Sequence, residues 1–280
     1  MSNAPDFLII PAAGLGTRMR SVDPLLPKEM LTINGKPAIQ YTVAEAFSVG
    51  IKKIVIVINR NKDIIRRYFE EPRLRENLYP DSAIEMDMFT KECEILFRYQ
   101  QQPLGEADAI GLCRDAVGNS SLAIIYPDNL YAPPPGALRQ LLPHFVKTDK
   151  DIIGLTEVTP QNQAGISNAG RVDLQPLTEN LYNIKRLLSK GPGPFVPRFT
   201  GELRACGITL SSGSQLFDCI EQARESVEQG EFTDMPVRTL IMQQHGLLGC
   251  RLPGMVFDIG NPLGYEQCQQ YMAKTIDTGP

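Results

Sequence analysis

The chain alternates between short unbroken apolar runs and longer stretches in which apolar residues recur every three or four positions. Phe7-Leu8-Ile9-Ile10, Ile54-Val55-Ile56-Val57-Ile58 and Leu122-Ala123-Ile124-Ile125-Tyr126 are the clearest runs. Runs of this kind, rich in β-branched residues, fit strands covered on both faces, as parallel sheets require. Between the first two, Ile39, Val43, Ala46 and Phe47 keep a helical spacing that ends at Gly50, so strand, helix and strand make a βαβ unit. The same reading predicts helices over 63–71, 107–117, 138–146, 215–229, 235–245 and 263–274, with helical pieces in the charged stretch 73–93. Further strands are predicted over 95–100, 151–158, 204–210 and 254–258. From 159 to 200 the pattern breaks into short alternating segments rich in Gly and Pro, with a turn at Gly191-Pro192-Gly193-Pro194. Such segments build pockets on a rigid sheet. The expected fold is α/β, a three-layer α/β/α sandwich around a Rossmann-like, mixed but mostly parallel sheet. We expect one domain over 1–280, carrying a small β-rich insertion at 159–205.

Composition narrows the chemistry. The 42% of hydrophobic and 21% of charged residues are those of an ordinary globular protein. A net charge of -4 leaves no basic excess for a nucleic-acid backbone, so no nucleic-acid partner is expected. No apolar run approaches the ~18 residues of a membrane span. Six cysteines are scattered without a Cys-x-x-Cys pair, and there are only two histidines, His144 and His245, which excludes a conventional zinc site. These thiols read as reduced and mostly structural, and the expected location is the cytoplasm. Ser2-Asn3-Ala4 reads as a tag remnant and is set aside.

The candidate chemistry begins where the first run stops, at Pro11-Ala12-Ala13-Gly14-Leu15-Gly16-Thr17-Arg18. Gly14 and Gly16 lack a Cβ, so backbone N–H groups there can approach phosphate oxygens closely. Arg18 and Lys28 add positive charge beside them. The loop fits neither a Rossmann fingerprint nor a Walker loop, since no third glycine and no Gly-Lys-Ser/Thr ending follows. Asp128 and Asp258 each stand at the end of a predicted strand, where ligands gather in open α/β sheets. On spacing alone each is as well read as a turn or cap residue; together they would suffice for magnesium, which takes a few carboxylates plus phosphate and water oxygens.

Taken whole, Ala12-Ala13-Gly14-Leu15-Gly16-Thr17-Arg18 followed by Pro27-Lys28-Glu29-Met30-Leu31 resembles the signature of sugar-1-phosphate nucleotidyltransferases, above all bacterial UTP:glucose-1-phosphate uridylyltransferases. Pro127-Asp128-Asn129 resembles a second signature and Phe257-Asp258-Ile259-Gly260-Asn261-Pro262-Leu263-Gly264-Tyr265 a third. The resemblance implies the nucleotide-diphospho-sugar transferase type of fold. It also implies a reaction in which the phosphate of a sugar 1-phosphate attacks the α-phosphorus of UTP and expels pyrophosphate. It assigns the nucleotide to Ala12, Ala13, Gly14, Gly16 and Thr17, the pyrimidine to Gln100 and Gly105, with Gln101 or Gln102 in place of Gln100 if the strand register slips, and the metal, Mg2+, to Asp128 and Asp258. Arg18 and Lys28 would act on the triphosphate. On the sugar side, Ala169-Gly170-Arg171-Val172 resembles a segment whose glycine touches the sugar, here Gly170, with Ala169 in place of the usual tyrosine. Asn183-Ile184-Lys185-Arg186 stands where the family has Val-Glu-Lys-Pro, which implies that Lys185 holds the acceptor phosphate. Ile184 then replaces a glutamate that binds a sugar hydroxyl, and Glu202 is the candidate substitute. Relatives are dimers or tetramers, so a homo-oligomer is expected. Two rival functions stay open: a thymidylyl- or other nucleotidyltransferase with a different phosphate acceptor, and a non-catalytic sensor of nucleotide sugars.

Overall fold

A strand that is apolar at every position must be covered on both sides, and the computed structural model meets that demand with a nine-stranded sheet between helices. The structure describes residues 4–132, 136–163, 165–166, 170–188, 196–226 and 230–277. Ser2, Asn3, Ala169 and the Gly191–Pro194 turn lie outside the described residues. The strands are β1 (Phe7–Pro11), β2 (Thr32–Ile33), β3 (Lys36–Pro37), β4 (Lys53–Ile58), β5 (Glu94–Tyr99), β6 (Ser121–Ile125) and β7 (Asn129–Ala132). They continue as β8 (Ile152–Glu157), β9 (Gly170–Pro176), β10 (Leu181–Leu188), β11 (Leu203–Ser212), β12 (Leu248–Arg251) and β13 (Met255–Asp258).

The main sheet has the order β5-β4-β1-β6-β11-β8-β12-β10-β9, with β9 also pairing β11. β10 and β11 run against the other strands, so the sheet is mixed but mostly parallel, as expected. Side chains alternate across it. Leu8, Ile10, Ile54, Ile56 and Ile58 enter one core with the helices Ala38–Ser48, Asp63–Glu70, Ala83–Glu92 and Ala137–Thr148. Phe7, Ile9, Val55 and Val57 enter the other with Glu106–Gly111, Gly213–Glu225 and Asp234–Gln244. Truncating any of these fully buried isoleucines to alanine is worth about 2–5 kcal/mol of stability. A smaller cluster of Ile33, Leu130, Phe257, Ile259 and Cys268 lies under the last helix, Pro262–Asp277.

The expected helix over 107–117 is two helices, Glu106–Gly111 and Arg114–Val117. Gly111, a weak helix former, ends the first where the chain passes close to Ile220. Three short elements escape the hydrophobic pattern: the β2–β3 hairpin, β7 and β12. In β12 the glycine at position 249 hides the strand signal, yet a Cβ there would stand 2.6 Å from Leu155, so only glycine lets the strand pack. All six cysteines are buried and free. Among the described residues no helix is long and apolar enough to cross a membrane.

Candidate active site

The loop after β1, the turn after β6 and the start of β7 lie at the carboxyl ends of parallel strands, and they open onto a cavity of about 770 Å³. That size suits a nucleotide-sized ligand. Ala13, Gly14, Gly16, Thr17, Arg18, Lys28, Gln100, Gly105, Asp128 and Gly170 all line it. Residues spread over some 150 positions of chain are thus brought to one surface. A Cβ at Gly14 would meet nothing within 4 Å, so its small size leaves room on the cavity side rather than relieving a clash. Gly16 takes φ 61°, the left-handed conformation that begins the short helical turn Thr17–Ser21. Ala12 does not line the cavity. Its N–H donates to Val57 O at 2.8 Å and its carbonyl accepts from Lys62 Nζ at 2.9 Å, so it supports the loop from beneath.

Lys62 is the hidden foundation of this end. Its ammonium is buried and also donates to both carboxylate oxygens of buried Glu29, at 2.8 Å each. Burial lowers its pKa in spite of Glu29. The pair ties the loop after β1 to the Lys28–Met30 turn, which carries Lys28 to the cavity. Lys28 then hydrogen-bonds Asp128 Oδ2. Burial by itself would lower the Lys28 pKa, but Asp128, Glu29 and Asp258 hold it well above the ordinary lysine value. Burial would equally raise the Asp128 carboxyl, and Lys28, Asn129 and Arg18 hold it below the ordinary value. Both groups are therefore charged at neutral pH.

The two predicted acids meet through an element the hydrophobic pattern does not reveal. β7 pairs antiparallel with β13 in a register that sets Asp258 opposite Asn129, and Ile259 N donates to Asp128 O at 2.9 Å. Asn129 donates to Asp128 Oδ1 at 3.0 Å and accepts from Gly207 N at 2.9 Å. Gly260 N donates to Asp258 Oδ1 at 3.1 Å. A Cβ added at Gly260 would stand 2.7 Å from Asp128 Oδ2 and 3.1 Å from Asp258 Oδ1, so the two carboxylates flank a point that only glycine leaves open. Two buried carboxylates around such a cradle fit a magnesium ion that draws its other ligands from phosphate and water. Among the described residues no group of three or more His, Cys, Asp or Glu side chains gathers as a self-sufficient metal cage.

Gln100 is buried, and its Nε2 donates to Gly105 O and to Asp108 Oδ2, each at 2.9 Å. Both partners only accept, which fixes the amide orientation and commits both of its donors. The expected donor-and-acceptor reading of a pyrimidine edge is thereby narrowed: Gln100 has its Oε1 acceptor to offer. Gly105, at φ 104°, packs so closely on the Phe232 backbone that no side chain fits.

The sugar-side expectations fare differently. Gly170 lines the cavity, but Lys185 stands exposed on β10 and does not. Ile184 is buried in the second core, not at the cavity, so its apolar character carries no information about sugar hydroxyls. β10 shifts register between Ile184 and Arg186 and reaches the cavity at Leu187 and Leu188. One step along a strand reverses the face, and a bulge reverses it again. Glu202 is no substitute either. It is wholly buried, accepting from the Arg198 backbone at 2.6 Å and from Arg198 Nε at 2.8 Å, with Arg204 Nε 2.9 Å away. The residue that does line this end is Arg171, directly after Gly170. A lone arginine inside an otherwise strand-like Gly-Arg-Val segment was the one signal for it.

A family model described as nucleotidyl transferase matches residues 8–181. A UTP–glucose-1-phosphate uridylyltransferase of Bacillus subtilis (strain 168) is 34% identical over 196 residues, which span 68% of this chain and 65% of that relative. The UTP–glucose-1-phosphate uridylyltransferase YngB of the same organism is 33% identical over 264 residues, covering 91% of this chain and 85% of the relative. A solved UDP-glucose pyrophosphorylase complexed with UDP-glucose superposes with a TM-score of 0.78 at 26% identity, over 96% of this chain and 99% of that one.

Proposed function

Since the chain belongs to the nucleotidyl transferase family, we propose that it makes UDP-glucose from UTP and glucose 1-phosphate and releases pyrophosphate. The observation that carries this reading is the convergence of the glycine loop, Lys28, Asp128 and Gly170 on one cavity, in a chain 33% identical to YngB over 91% of its length. The reaction needs no protein nucleophile, because the acceptor phosphate attacks and pyrophosphate departs in line. Positioning and charge stabilisation then supply the rate.

In this reading the N–H groups around Gly14 and Gly16 cradle the triphosphate, and Arg18 and Lys28 neutralise the charge that develops on the leaving pyrophosphate. Gln100 Oε1 accepts the N3–H of uracil, while Gly105 shapes the pocket floor. Asp128 and Asp258 would hold magnesium, which when bound offsets the triphosphate charge. Strands β9 and β10 form an insertion within a single domain and receive the acceptor. Six buried thiols suit a reducing, cytoplasmic setting. A homo-oligomer completes the reading, and light scattering of the purified chain measures it directly.

The test is a grid of pyrophosphate release with magnesium, pairing UTP, dTTP and the other triphosphates with several sugar 1-phosphates. Release is expected to be fastest with UTP and glucose 1-phosphate. A faster second pair would relocate the substrate, and nucleotide binding with no release from any pair would identify a sensor.

A further inference from the structure

Among the described residues four cations line the cavity: Arg18, Lys28, Arg171 and Arg238. The first two belong to the triphosphate end, and Arg238 Nε is held by Asp234 Oδ2 at 2.8 Å. Arg171 has no such engagement. On β9 it stands opposite Leu188 of β10 and Arg204 of β11. The acids around it are already taken: Glu202 by Arg198 and Arg204 at 2.8 and 2.9 Å, and Asp173 by Arg198 at 2.8 Å. Among the described residues Arg171 has no ion-pair partner, and its Nε is a buried donor with no acceptor. Leaving such a donor unmatched costs about 1–3 kcal/mol, and among the described residues nothing holds the guanidinium, whose residue lines the cavity and is only partly buried.

We propose that Arg171 binds the phosphate of the sugar 1-phosphate acceptor. This rests on the nucleotidyl-transfer reading above and assigns to Arg171 the role that the sequence resemblance gives Lys185. The described cavity lining that β9, β10 and β11 contribute beside it, Gly170, Leu187, Leu188, Ala205, Cys206 and Gly207, is small or apolar. A guanidinium matches a phosphate with two parallel N–H donors, and an apolar surround strengthens each bond. The acceptor phosphate is the anion the reaction brings to this end, since the triphosphate is held opposite by the glycine loop. Arg171 is thus a binding residue for the attacking group, and it selects for acceptors that carry a phosphate beside the transferred bond.

The experiment compares wild type with Arg171→Gln and Arg171→Lys, measuring KM separately for glucose 1-phosphate and UTP. Arg171→Gln is expected to raise the glucose 1-phosphate KM roughly 10- to 100-fold while the UTP KM stays within about twofold, the loss of one charge-assisted contact. Arg171→Lys should recover part of it, and inorganic phosphate should compete with glucose 1-phosphate in wild type but far less in Arg171→Gln. An unchanged acceptor KM in Arg171→Gln overturns the proposal. So does a loss confined to glucuronic acid 1-phosphate, which would mean that the guanidinium reads a sugar carboxylate. Lys190, two residues beyond Leu188 in the chain and outside the described residues, supplies the control: an acceptor defect in Lys190→Ala with none in Arg171→Gln also overturns it. Should wild type release no pyrophosphate from any pair, the activity reading fails on its own, and calorimetric binding of inorganic phosphate to wild type and Arg171→Gln still decides the assignment.

Discussion

The two ends of the cavity are built by different kinds of sheet. At the nucleotide end β5, β4, β1 and β6 run parallel, and Gly16, Lys28, Gln100 and Asp128 sit in loops or turns beyond them, while Asp258 ends β13 of the small β7–β13 pair. At the acceptor end β9, β10 and β11 are antiparallel neighbours, and the lining groups are side chains on the strands themselves. A loop residue reaches the cavity because of where its strand ends, and small errors in alignment do not move it. A strand residue reaches it only if its register is right. The same carry-over from related sequences therefore placed Gly16, Lys28, Gln100 and Asp128 at the cavity and left Lys185 outside it.

This contrast is open to direct attack. The largest effect is expected at the nucleotide end: Asp258→Asn should lower magnesium-dependent kcat/KM by on the order of 10³-fold, as removal of a preorganised charge does. Full magnesium-dependent turnover in that variant would remove the metal role from Asp258. Beneath the same end, Lys62→Met leaves the Glu29 carboxylate buried without its partner. A loss of about 3–5 kcal/mol in urea-induced unfolding is expected, accompanied by a higher KM for UTP. A variant as stable as wild type would show that the glycine loop stands without this pair. At the acceptor end Lys185→Ala should do least, leaving both KM values within about twofold, since an exposed lysine outside the cavity contributes little. An acceptor defect in Lys185→Ala would erase the contrast and return the phosphate to the residue named by the motif.

Much of the fold was legible because its strands are two-sided. Runs such as Ile54–Ile58 and Ile9-Ile10 read as buried strands without ambiguity, and the helices between them kept a clear spacing. What escaped was short or defined only by pairing. β7 is four residues of mixed character, visible only through its register with β13, yet it is the element that carries Asp128 to Asp258. The Lys62–Glu29 pair was equally hidden, because nothing local in either segment demands a partner 33 positions away. Ile184 read as a lost sugar ligand only while its strand was assumed to face the cavity.

By itself, then, the sequence determined the α/β class, the glycine loop, the cations and acids of the nucleotide end and the family to which the chain belongs. These depend on contiguous residues or on strand ends, which local physics marks and to which the family resemblance gives their expected roles. Only the tertiary structure decided which acceptor-side residues line the cavity, how Asp128 and Asp258 come to flank one glycine, and that Gln100 has spent its donors. Each of those rests on register and burial, which arise when strands distant in the chain pack together.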